Sequence, residues 1–100
     1  MGKEFKEMLE SYGITSVQEK ELYHYFDEAR TDIKKGKTIT SMSFEQAFYE
    51  ITDVKHGDFH AAEQFLFECA KEKRYDDLYV HFYKGMAKHD ERIREHGFEA

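Results

Sequence analysis

Apolar residues recur along this chain at helical spacing. Phe5, Met8, Leu9 and Tyr12 stand at i, i+3, i+4 and i+7, one face of a short first helix. Gly13 follows where a left-handed cap is favoured. Ser16-Val17-Gln18-Glu19 has the spacing of a capping box, in which serine and glutamate each satisfy a free backbone N–H. A second helix then carries Leu22, Tyr25, Phe26, Ala29 and Ile33. Lys34 and Lys35 suit the negative end of its dipole, and Gly36 stops it. Ser43-Phe44-Glu45-Gln46 predicts a second capping box, opening a third helix with Phe44, Ala47, Phe48 and Ile51 inside. Asp58 is the expected cap of a fourth, with Phe59, Ala62, Leu66, Cys69 and Ala70 on its stripe. Asp76 or Asp77 starts a fifth, with Leu78, Phe82, Met86 and Ile93 in register up to Gly97.

This pattern predicts an all-α fold, a compact bundle of four to five short helices. Proline, the strongest helix breaker, is absent. One alternative keeps a small two-stranded pairing of residues 37–40 with 78–83. Lys37-Thr38-Ile39-Thr40 is β-branched, and Leu78 to Tyr83 is rich in strand formers. A length of 100 residues, 40% hydrophobic and 36% charged, fits one folded domain over residues 1–100. No apolar run approaches the roughly 20 residues that would span a bilayer, so no membrane partner is expected. The charged start Met1-Gly2-Lys3-Glu4-Phe5-Lys6 does not resemble a signal peptide. The single cysteine, Cys69, cannot close an intramolecular disulfide, and a cytoplasmic setting is expected.

Net charge is −6, which opposes general affinity for nucleic acid. Its distribution is uneven. Residues 41–70 carry only Lys55 against Glu45, Glu50, Asp53, Asp58, Glu63 and Glu68. The expectation is an acidic helical face that docks another protein with a basic surface, through Glu45, Tyr49, Glu50, Asp53 and Glu63. Tyr49 belongs to it because it lies away from the Phe44–Ile51 face. The fifth helix is apolar almost all round near residues 78–83. It is expected either to be the central helix or to pair two copies of the chain through Tyr79, Val80 and Tyr83.

The six histidines raise the alternative of a metal-binding helical protein or small metalloenzyme. Glu21-Leu22-Tyr23-His24 has the Glu-x-x-His spacing of di-iron bundles, but it occurs once, and His24 points away from the apolar stripe. His60-Ala61-Ala62-Glu63 has the reverse order. His56 joins His60 and Glu63 on one face only if the helix begins before Gly57. No metal or other cofactor is therefore expected. His89 and His96 fall in line with Phe82 and Ile93, as boundary histidines satisfied by carboxylate or backbone, or as a pH-sensitive contact. Cys69, on the fourth stripe, is expected buried and inert.

Gly36-Lys37-Thr38 resembles the end of a P-loop, but Thr31 stands where its first glycine belongs. Arg30, Lys34, Lys35 and Lys37 with Thr38, Thr40, Ser41 and Ser43 still make a basic, hydroxyl-rich segment. It supports a third alternative, a nucleic-acid adaptor using residues 30–43. No catalytic constellation emerges. The leading expectation is a small acidic, non-catalytic regulator or inhibitor, a type often encoded by viruses and mobile elements.

Overall fold

The computed structural model describes residues 3–52, 54 and 60–98. Six helices follow one another: α1 (Lys3–Tyr12), α2 (Ser16–Lys34), α3 (Ser41–Ile51), α4 (Ala61–Lys71), α5 (Asp76–Tyr83) and α6 (Ala87–His96). Among the described residues there is no strand. Residues 37–40 are irregular and 78–83 lie inside α5, so the two-stranded alternative is not formed.

The first two helices follow the apolar pattern closely. Phe5 and Met8 of α1 are buried, and Gly13 takes a φ of 67° behind them. Leu22, Phe26 and Ala29 form the inner face of α2. The caps, however, sit earlier than the sequence suggested. Thr15, not Ser16, is the extended N-cap of α2. Its hydroxyl accepts from the Gln18 N–H at 3.2 Å, and the Gln18 side chain accepts from the Thr15 N–H at 3.0 Å. Two overlapping frames satisfy the same motif, and the earlier one gains an extra helical residue. On α3 the reciprocal pair is Thr40 with Ser43. Ser43 is thus inside the helix rather than at its cap. Asp58 and Phe59, expected to open α4, lie outside the described residues.

The expected fifth helix is two helices. Gly85 adopts a φ of 98°, a left-handed conformation that glycine tolerates and other residues resist. Its N–H is held by the Asp90 carboxylate at 2.8 Å, which ties the break to the first turn of α6. Met86 consequently leaves the apolar stripe and is 45% exposed.

α4 packs on α1, α3 and α5, and every residue from Ala61 to Ala70 except Gln64 is buried. Ala61, Ala62, Cys69 and Ala70 let neighbouring helices approach, while Phe65, Leu66 and Phe67 fill the space between them. The Phe65 ring meets Phe5 of α1 at 5.8 Å, Phe26 of α2 at 5.9 Å and Phe48 of α3 at 5.6 Å. Each such ring pair contributes about 0.5–1.5 kcal/mol beyond its buried area, so one side chain knits three helices to the fourth. α5 is buried on most sides too, through Leu78, Tyr79, Val80, Phe82 and Tyr83. The turn into it forces Tyr75 to a φ of 60°, unusual for a bulky residue. Rings of Tyr23 and Phe26 and a 2.9 Å hydrogen bond donated to Asp27 hold Tyr75 there.

Candidate functional site

Because α4 is central, its carboxylates turn inward. Glu63 is 8% exposed. One of its oxygens, Oε2, stands 2.9 Å from His89 Nε2. The other, Oε1, stands 3.1 Å from Lys88 Nζ and 2.9 Å from His60 Nδ1. His89, 4% exposed, places Nδ1 2.5 Å from the Tyr79 hydroxyl. The Tyr83 ring lies 4.7 Å from the imidazole, and its hydroxyl donates to Glu45 at 2.7 Å. Four helices therefore meet at this hub: α3 through Glu45, α4 through Glu63, α5 through the two tyrosines and α6 through His89.

The hub has one neutral arrangement that satisfies every partner. Tyr79 O–H donates to His89 Nδ1, and His89 Nε2–H donates to the Glu63 carboxylate. Burial pulls His89 below the ordinary histidine range, with the charges of Lys88 and Arg92 adding to it and Glu63 opposing. Burial pushes Glu63 upward, but hydrogen bonds from Lys88 and His60 and the attraction of His89 outweigh it, leaving Glu63 below the ordinary carboxylate range. Burial raises Tyr79, and burial together with Glu45 raises Tyr83. Both phenols stay protonated at neutral pH. Glu68, 7% exposed, is likewise bound, by Lys71 at 3.0 Å and Gln64 at 2.9 Å.

The residues expected to form one acidic docking face lie in different surroundings. Glu63 is an interior group already neutralised by its own chain. Glu45 is half-buried and bonded to Tyr83. Tyr49 is half-buried, edge-on to Phe48 at 5.4 Å. Glu50 is exposed, and Asp53 lies outside the described residues. A signal for Glu63 existed in the sequence. Glu63, Leu66 and Ala70 stand at i, i+3 and i+7, so this carboxylate sits on the apolar stripe. Tyr79, Val80 and Tyr83 are 0%, 6% and 1% exposed, so α5 is packed inside this chain at these positions, as the central-helix alternative expected.

The other sequence candidates are also placed. Arg30 is spent on Asp77 in a bidentate pair at 2.9 and 2.7 Å and covers the Tyr75 ring. Lys37 pairs with Asp32 at 3.6 Å and Thr40 and Ser43 cap α3, while Lys34, Lys35 and Thr38 of the same segment are exposed. His24 is exposed and pairs with Glu28 at 2.8 Å. His96 is exposed as well, stacked on Phe98, because the break at Gly85 rotates α6 away from the Phe82 stripe. His56 lies outside the described residues. Among the described residues no three His, Cys, Asp or Glu side chains gather to hold a metal. Cys69 is fully buried, and burial pushes its thiol up to about 12. No helix is long and apolar enough to cross a membrane among the described residues.

Elsewhere on the surface, α2 and α3 leave a groove of about 410 Å³ lined by Lys20, Glu21, His24, Tyr25, Glu28 and Ile51. Tyr25 and Ile51 are half-buried and give it an apolar floor. Glu21 on its rim, and Glu50 next to Ile51, are exposed and have no ion-pair partner among the described residues. Sequence reasoning missed this groove, because Glu21 and Ile51 approach only through the packing of α2 on α3.

Comparisons of the chain with protein families, with curated proteins and with solved structures found no match.

Proposed function

We propose that this is a non-catalytic protein-binding module, a regulator or inhibitor whose contact surface is the α2–α3 groove. The observation that carries the reading is an apolar floor, Tyr25 and Ile51, with Glu21 on the rim and Glu50 beside Ile51 in sequence, both exposed carboxylates with no ion-pair partner among the described residues. Apolar contact supplies affinity, and unpaired rim charge steers a partner of opposite sign. The fitting partner is a basic protein segment that lowers one apolar side chain between α2 and α3. This keeps the basic-partner expectation but moves its seat, because Glu63 and Glu45 serve the interior.

The test is an NMR titration with a synthetic amphipathic helix, lysines on one face and leucines on the other. Amide shifts should concentrate at Glu21, His24, Tyr25, Glu28, Glu50 and Ile51, and weaken as salt rises. Combined Glu21→Lys and Glu50→Lys should abolish them, and a scrambled peptide of equal charge should not produce them. Shifts spread evenly over the surface, or surviving the double reversal, overturn the reading.

A further inference from the structure

α6 is the most polar helix of the bundle, and His89 is its one buried residue. A helix of this kind cannot be held mainly by hydrophobic burial. Beyond His89, α6 is attached through half-buried Ile93, Arg92 over the Phe67 ring at 4.3 Å, His96 edge-on to the same ring at 5.4 Å, Lys88 on Glu63 at 3.1 Å, and Phe98 just past its end. His89 is thus a titratable side chain at the point where α6 joins the rest of the fold.

We propose that α6 is an acid-released latch: protonation of His89 breaks its seat between Tyr79 and Glu63 and frees α6 from α4 and α5. The reasoning is a donor count. Neutral His89 has one N–H and one acceptor, matched by Glu63 and Tyr79. Protonated, it has two N–H groups. Nδ1–H then faces the Tyr79 hydroxyl, whose own proton must turn away into a buried region. The other groups facing the imidazole do not relieve this. Arg92 and Lys88 of α6 only donate, and both are cationic. The Tyr83 hydroxyl of α5 is committed to Glu45 of α3. Glu63 of α4 attracts the new charge, but its second oxygen is already shared by Lys88 and His60.

The sign of the linkage follows. A histidine held below its unfolded value binds fewer protons folded than released, so acid favours the released form. The contact is intact above the ordinary histidine value of ~6.5 and weakens as pH falls below it. Glu63, also held low, adds its own loss only in the carboxylate range. Release uncovers the aromatic surface of Phe67, Tyr79 and Tyr83 beneath α6. This latch lies on different helices from the α2–α3 groove and does not depend on that reading.

Amide hydrogen exchange on the whole chain, corrected for intrinsic rates, tests it between pH ~7.5 and ~5. The opening constant of residues 90–95 should rise by up to about tenfold per pH unit below the histidine midpoint, while α4 amides at residues 65–69 stay protected. The rise should begin at the ordinary histidine value and level off where the His89 ring resonances titrate. His89→Gln should keep α6 protected and remove the response, since an amide can accept from Tyr79 and donate to Glu63 without gaining a proton. His60→Gln and His96→Gln should retain the response. The latch is overturned if the response survives His89→Gln, if α4 and α6 lose protection together, or if α6 opening fails to track the His89 titration in the unaltered chain. The last criterion holds even if His89→Gln destabilises the fold.

Discussion

Glu63 and Glu50 are the same residue type in the same acidic stretch of sequence, and they end in opposite surroundings. Glu63 is a nearly closed interior acceptor serving His89, Lys88 and His60. Glu50 is exposed on the end of α3 with no ion-pair partner among the described residues. What separates them is the number of neighbours their helices have, not the local charge. α4 is enclosed by α1, α3 and α5, so a carboxylate on its stripe must find donors inside. α3 has a solvent side. The interior carboxylate is structural, and the exterior one is the one proposed to meet a partner.

Charge reversal should break the two sites very differently. Glu63→Lys places a cation among Lys88, His60 and His89 and leaves it uncompensated. Urea denaturation should show a loss of about 3–5 kcal/mol, the range for disrupting a buried charged contact. A loss under about 1 kcal/mol, the scale of an exposed pair, would put Glu63 back on the surface. Glu50→Lys should stay within about 0.5 kcal/mol of the unaltered chain, because Glu50 is exposed and has no ion-pair partner among the described residues. A larger change would mean that Glu50 has interior work and is no docking residue.

The comparison also marks how much was legible in the chain. Phe5, Met8, Leu22, Phe26, Phe44 and Phe48 are buried where their spacing placed them, since helical periodicity is set by local geometry. The central character of α5 was visible in the apolar run from Leu78 to Tyr83. The α2 cap slipped because Thr15 and Ser16 both offer the motif, and a pattern cannot choose between hydroxyls one residue apart; the α3 cap slipped because Thr40 and Ser43 each stand where a cap can form. The Gly85 break was hidden by Phe82, Met86 and Ile93, which keep a helical register across it. The hub was half legible. His89 lay on the stripe, so its burial could be anticipated. Its partners could not, because Tyr79 is in the preceding helix and Glu63 in the helix before that. The inward turn of Glu63 was hidden for the same reason: net charge along a segment carries no information about which helix becomes enclosed.

Glu63 and His89 meet as partners across the interior, 2.9 Å apart. A double-mutant cycle of Glu63→Ala and His89→Ala, measured by chemical denaturation at neutral pH, tests this directly. Each single change orphans the other's buried polar group, at about 1–3 kcal/mol. The double change should cost clearly less than the sum, with a coupling of about 1 kcal/mol or more. Costs that add to within about 0.3 kcal/mol would contradict the hub, and with it the inward placement of α4's carboxylates.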